Sequence, residues 1–437
     1  MQEIDLLVCP EWLIPVEPAG QVLEQHVMAV DQGRILELLP KDFALQRYQP
    51  RQTLDLPGHA VCPGLINTHT HSAMSLMRGL ADDLPLMTWL QEHIWPAEGQ
   101  HVSADFCATG VELACAEMIR SGTTCFNDMY FFGDQTARVA TRLGLRAGIG
   151  LIVMDFPTVW AQDADEYLHK AVELHDSLRD ESLIHCSFAP HAPYTVSDAP
   201  LRKLRALADE LELPIHMHVH ETATEVSNAV EASGQRPWAR LQGLSLPGPG
   251  FMAVHMTQLE EAEIESVAGS GTHVIHCPES NLKLASGFCP VDKLLKAGVN
   301  VALGTDGAAS NNDLDMFGEM RTAALLAKGL AGDASALPAA QALQMATLNG
   351  ARAMGIDAHT GSLVAGKSAD FISVDLTALG SQPVYHPISQ LVYACQREQV
   401  RDVFVAGRAL LRDSQHTDLD TAALRGKVQQ WQQRIQP

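Results

Sequence analysis

The pentapeptide NTHTH, residues 67–71, places two histidines two positions apart, directly after the apolar run AVCPGLI. On a strand, residues two apart point to the same side, so His69 and His71 can share one metal ion. Alone, such a pair is more often a set of polar residues leaving a core than a metal site. Further groups able to do acid, base or ligand chemistry are His216, His218, His220 and Glu221 in HMHVHE, His255 in AVHM, and Asp306 in ALGTDG. His216, His218 and His220 alternate along one strand and at most one or two can reach a single ion. We therefore read His216 and His220 as satisfied core or rim histidines. Asp306 before Gly307 also suits the start of a turn, and an isolated His255 also suits a structural role.

What must position these groups is an alternation of short apolar runs and amphipathic helical stretches that begins near residue 60. Strands are predicted at Val61–Ile66, Thr123–Met129, Arg146–Val153, Leu183–His191, Pro214–Glu221, Phe251–Met256, Thr272–Pro278 and Asn300–Asp306. Between them, SADFCATGVELACAEMIRSG has helical spacing and ends in Gly122, a suitable C-cap, and SDAPLRKLRALADELEL is a second helix. Strand–helix alternation implies parallel strands, and eight repeats imply a closed (β/α)8 barrel of the α/β class. A doubly wound open sheet competes, but no GxGxxG follows the first strand. Barrel chemistry sits at the C-terminal ends of strands. There His69 and His71 end strand one, His218 and Glu221 strand five, His255 strand six and Asp306 strand eight. Four strand ends supplying imidazoles or carboxylates to one rim is a far more specific signal than any member of the set.

The two ends of the chain differ from this pattern. Residues 1–59 read as a β-meander with turns at DQGR and PGH, and GSLVAGKSADFISVD and VRDVFVAGRALL repeat a hairpin pattern near the C-terminus. Neither end has enough core to stand alone. The expected organisation is a barrel over 60–360 beside one small β-sandwich domain built from 1–59 and 361–437.

Of the 437 residues 46% are apolar, enough for a sizeable core, and the formal net charge is −22. That charge excludes nucleic-acid polymers as partners, which need a basic surface, without excluding a small nucleoside. Nine scattered cysteines without a CxxC pair suit reduced thiols in the cytoplasm. The opening MQEIDLLVCPEWLIPVEP has no basic n-region and is read as no signal peptide. No apolar run approaches the roughly 20 residues of a membrane helix. A soluble cytoplasmic protein is expected, with a homo-oligomer left open.

The stretches PGLINTHTHSAMSLMRGLADDLPLMTWL, APHAPYTV, HMHVHETATE, HCPESNLKLASG and LGTDGAASNNDLDMF, in this order, resemble the amidohydrolase superfamily. Within it they resemble the 5-methylthioadenosine/S-adenosylhomocysteine deaminase group, and GKSADFISVD resembles the superfamily's C-terminal β-segment. The resemblance implies that His69, His71, His218 and Asp306 hold one divalent metal, zinc in the first place and Fe2+ as the alternative, since neutral nitrogens with one carboxylate suit both. It implies that Asp306 and His255 orient and deprotonate a water that attacks C6 of an adenine ring, while Glu221 protonates a ring nitrogen. Two-metal relatives bridge their ions with a lysine ending strand four; LIHCSFAPH has none, which implies a mononuclear site.

For substrate contacts, the resemblance gives Glu98 the ribose hydroxyls and His191 the nucleoside. Without it, Glu98 reads as a solvated loop acid and His191 as a plain rim histidine. Some relatives carry arginines on and after strand three, suited to an amino-acid carboxylate on the 5′ side. After Arg146 this sequence has none as far as His169, and Leu151 and Trp160 are expected to make the region apolar, with Trp160 a substrate contact. The expected reaction is hydrolytic deamination of 5′-methylthioadenosine, with S-adenosylhomocysteine and adenosine as further candidates. The competing readings are hydrolysis of another ring substituent, as on a triazine, a guanine- or cytosine-type deaminase, and a scaffold that has lost its reaction.

Overall fold

The computed structural model describes residues 1–436. Eight parallel strands follow one another in chain order around a barrel. They are Leu65–Thr70, Thr123–Asp128, Arg146–Val153, Ile184–Pro190, Ile215–Val219, Phe251–His255, His273–His276 and Val301–Leu303. The first and eighth strands close it through individual bonds instead of a ladder. Thr68 Oγ1 donates to the Leu303 carbonyl at 2.6 Å, and the Asp306 N–H donates to the His69 carbonyl at 3.0 Å. The closure therefore lies beside two of the groups singled out above.

The first predicted strand is corrected. Val61–Pro63 end a long strand, Tyr48–Pro63, of a separate sheet, and the barrel strand starts at Leu65. One apolar run thus serves two sheets, and Pro63-Gly64 divides it. Only glycine fits there, because a Cβ on Gly64 would lie 2.1 Å from the Thr124 side chain. The helix predicted before Gly122 spans Ala104–Arg120, capped by Ser103, whose hydroxyl accepts the Phe106 N–H. Gly122 adopts φ +90°, as a helix-ending glycine does.

The second sheet is nine-stranded, mixed, and drawn from both ends of the chain. Tyr48–Pro63 pairs antiparallel with Phe371–Asp375, which joins the two ends. The N-terminal part is not a meander. Gln2–Leu13 pairs antiparallel with His26–Asp31 but parallel with Tyr48–Pro63, and the helix Lys41–Arg47 makes the crossover a parallel pair requires. Leu6, Val8, Met28, Val30, Leu54, Phe371 and Phe404 form an apolar cluster of their own within this sheet. A buried ion pair, Arg146 Nη2 to Asp370 Oδ2 at 2.9 Å, ties the third barrel strand to it. Among the described residues no helix is long and apolar enough to cross a membrane.

Candidate metal centre

His69 and His71 leave the first strand, His218 the fifth and Asp306 the eighth, and one ligand atom of each lies within 4.8 Å of the others. His69 Nε2 is 3.1 Å from His218 Nε2, and Asp306 Oδ1 is 3.3 Å from His69 Nε2 and 3.2 Å from His71 Nε2. Left-handed backbone turns these strand ends inward: φ is +52° at His220, +75° at His255 and +65° at Asp306. Each such residue costs on the order of 1–3 kcal/mol and persists only where its surroundings hold it. Here they do. Glu225 accepts the N–H groups of His220 and Glu221, at 3.2 and 2.6 Å, and Thr257 Oγ1 donates to the Glu221 carbonyl at 2.7 Å. The Gly307 N–H donates to Asp306 Oδ1 at 2.8 Å.

The hydrogen bonds on the far side of each ring decide whether a cation fits. His71 Nδ1 donates to the Met129 carbonyl at 2.6 Å and His218 Nδ1 to the His191 carbonyl at 2.7 Å. A carbonyl only accepts, so these nitrogens carry the protons and the Nε2 lone pairs face the common centre. His69 Nδ1 pairs with His216 Nε2 at 3.0 Å. Burial pulls His69 down to about 4 and His216 and His218 well below the usual histidine range, so these rings are neutral. At Asp306 burial acts upward, but the bonds from His69 and His71 outweigh it and hold the carboxyl well below its ordinary value. At His71 burial acts downward and Asp306 outweighs it, pushing the ring up to about 9, so a proton and a cation compete for this edge. Nitrogen lone pairs converging on an anionic oxygen repel one another unless a proton or a metal cation sits among them. The four groups fit a metal ion.

Beside them a cavity of about 290 Å3 opens, lined by Glu221, His255, His191 and Glu98. His255 Nε2 lies 3.9 Å from Glu221 Oε2, and burial raises the Glu221 carboxyl above the ordinary range. His255 Nδ1 is 2.9 Å from Asn281 Oδ1, and Ser280 Oγ donates to Asp306 Oδ2 at 2.6 Å. Glu98, on the helix Trp95–His101, accepts the Tyr130 hydroxyl at 2.7 Å, and burial raises its carboxyl. Burial takes His191 down to about 3, and its Nδ1 meets Thr195 Oγ1 at 3.1 Å. The site therefore sets the Glu221 carboxyl and the His255 imidazole together on the cavity beside the four clustered groups.

Trp160 is not in this cavity. Strand residues alternate faces. Ile152 points inward, while Leu151 points outward to a small gap that Trp160 shares with Lys170 and Leu174. Trp160 packs edge-on to Phe132 at 5.1 Å, under the Lys170 ammonium. The apolar wall comes instead from Ile152, Met154, Phe156 and Val159, and among the described residues no lysine or arginine lines the cavity. His216 and His220 are interior residues: His216 props His69, and His220 Nε2 accepts the Trp238 N–H at 3.1 Å. Sequence reasoning did not find Tyr130, Ser280 or Asn281. NDMYFF and HCPESN follow strands two and seven, and their place just past strand ends was the available signal.

A model of the amidohydrolase family matches residues 60–410. The chain is 49% identical to a 5-methylthioadenosine/S-adenosylhomocysteine deaminase of Saccharophagus degradans, over 99% of this chain and 97% of the relative. It is 46% identical to a 5′-deoxyadenosine deaminase of Methanothermobacter thermautotrophicus, over 83% of this chain and 84% of that one. A crystal structure of an adenosine deaminase from Xanthomonas campestris with bound zinc superposes with a TM-score of 0.98 at 54% identity, covering 99% of both chains. With the match extending through every strand end that carries a ligand, this chain belongs to the amidohydrolase family.

Proposed function

We propose that the protein is a metal-dependent aminohydrolase that converts an adenine nucleoside to its inosine analogue and ammonia. The observation that carries this reading is the placing of Glu221 and His255 on one cavity beside His69, His71, His218 and Asp306. A divalent ion held by these four, zinc in the first place and Fe2+ as the alternative, supplies the acidity that lets a water ionise near neutral pH. One ion suffices, since LIHCSFAPH offers no bridging lysine. His255 and Asp306 take the water's proton as its oxygen attacks C6. Glu221, whose carboxyl burial pushes up, gives its proton to a ring nitrogen and so neutralises charge building on the purine. The amino group leaves as ammonia with the proton that His255 and Asp306 took, and the hydroxyl proton passes to Glu221 as the C6 carbonyl forms, which restores the acid. Glu98 accepts the ribose hydroxyls, its carboxylate aligned by Tyr130, and His191 bounds the nucleoside.

On the 5′ side the wall of Ile152, Met154, Phe156 and Val159, free of any basic group, favours the uncharged methylthio tail of 5′-methylthioadenosine over the amino-acid tail of S-adenosylhomocysteine. In this reading residues 60–360 do the chemistry and 1–59 with 361–437 support them. Nine free thiols suit a reducing cytoplasm.

A screen of adenosine, 5′-methylthioadenosine, S-adenosylhomocysteine, guanine and cytosine for ammonia release tests both levels. Deamination of adenine nucleosides with the highest kcat/KM for 5′-methylthioadenosine is expected. A clear preference for S-adenosylhomocysteine overturns the tail assignment, and turnover of only guanine or cytosine overturns the substrate class.

A further inference from the structure

The seventh barrel strand, His273–His276, sends no group into the metal cluster. The short helix that follows it, Pro278–Lys283, touches both proton-handling residues. We propose that its adjacent residues Ser280 and Asn281 are a positioning pair, Ser280 fixing the rotation of the Asp306 carboxylate and Asn281 fixing the tautomer of His255.

Both side chains are buried, Ser280 fully and Asn281 at 2% exposure. Asn281 Oδ1 accepts from His255 Nδ1 at 2.9 Å, and this is the one hydrogen bond its side chain makes to protein among the described residues. A buried amide bonded to nothing else is a poor source of stability. Its effect falls on His255. With the proton held at Nδ1, the Nε2 lone pair is the one directed toward Glu221 and the cavity, which is the form a base requires. Were the proton on Nε2, the ring would face the cavity as a donor and accept nothing.

Ser280 does the matching task for the carboxylate. Asp306 Oδ1 is turned to His69 and His71, and Ser280 Oγ holds Oδ2 at 2.6 Å, so the group cannot rotate about its own bond. Adjacency in sequence sets the two orientations together. Pro278 in the first turn, with its fixed φ, starts the helix at the strand's end.

The kinetic arm of the test rests on the deaminase reading; the spectroscopic arm does not. Full-length, metal-loaded Asn281→Ala, Asn281→Asp, Ser280→Ala and Ser280→Thr variants are compared with wild type for kcat, KM, metal content and 15N histidine spectra, with His255→Gln identifying the His255 signals. Asn281→Ala is expected to lower kcat roughly ten- to hundredfold at little-changed KM and metal content. His255 then passes from one Nδ1–H tautomer to a mixture. Asn281→Asp keeps the acceptor oxygen and is expected to restore the tautomer and most of kcat. Ser280→Ala is expected to lower kcat with the His255 tautomer unchanged, and Ser280→Thr to recover it. An unchanged His255 tautomer in Asn281→Ala overturns the Asn281 assignment, and so does metal loss in step with activity. Unchanged kcat in Ser280→Ala overturns the Ser280 one. Should wild type deaminate none of the nucleosides, the substrate reading fails, while a shifted tautomer in Asn281→Ala still supports the pair.

Discussion

Glu221 is the residue at which metal binding and chemistry would part. It sits against the cluster of four without belonging to it, 3.9 Å from His255 Nε2, and burial raises its carboxyl. Glu221→Gln preserves shape and removes the transferable proton. The variant is expected to bind metal as wild type does, by elemental analysis, and to lose at least about 100-fold in kcat, since general acid catalysis contributes that much or more. Full retained activity would mean that the ring proton comes from elsewhere. At this scale the four clustered groups were legible in sequence because each lies at a strand end and the first two share a face. Their supports were not. His216 braces His69 across 147 positions of chain, and Tyr130 meets Glu98 across 32, pairings that no local pattern encodes.

The short 3-10 helix Ser72–Met77 carries the chain away from His71, and its packing constrains that side chain. Asp128, ending the second strand, accepts the Ser72 N–H at 2.7 Å and the Thr70 hydroxyl at 3.0 Å. On the other side lies Gly110 of the helix Ala104–Arg120, where a Cβ would stand 2.3 Å from the Ala73 carbonyl oxygen. In an exposed helix Gly→Ala gains about 0.5–1 kcal/mol from propensity. Here a clash with backbone outweighs it, since overpacking a filled interior costs about 1–3 kcal/mol. Gly110→Ala is therefore expected to lower the midpoint of denaturant unfolding and to weaken metal retention against a chelator; a raised midpoint would show that propensity wins. The helix itself was readable from its spacing and its Gly122 terminus. Its close approach to the 3-10 helix was not, because a helical glycine in sequence looks the same whether it faces water or a carbonyl. The same ambiguity let AVCPGLI pass for one strand when Pro63-Gly64 splits it between two sheets.

At the scale of the molecule, eight strand–helix alternations gave away the barrel, and the odd character of both ends gave away the second sheet. What holds the two bodies together was hidden, since Arg146 and Asp370 are 224 positions apart. The joint also explains why the arginine at the start of the third strand takes no part in the cavity. Its guanidinium donates to Asp370 Oδ2 through Nε at 3.1 Å and Nη2 at 2.9 Å, while Asp370 Oδ1 accepts the Ala406 N–H at 2.7 Å and the Ser368 hydroxyl at 2.7 Å. Asp370→Ala leaves a buried cation without its counter-ion and the Ala406 N–H and Ser368 hydroxyl without their acceptor, a change that costs about 3–5 kcal/mol. Replacing both charges at once, as in Arg146→Met with Asp370→Leu, removes the stranded cation as well. Urea unfolding of the metal-loaded protein is thus expected to rank wild type above the double variant and the double variant above Asp370→Ala. If the double variant were instead the least stable of the three, the pair would matter to the joint by its attraction and not by the burial of an unmatched charge.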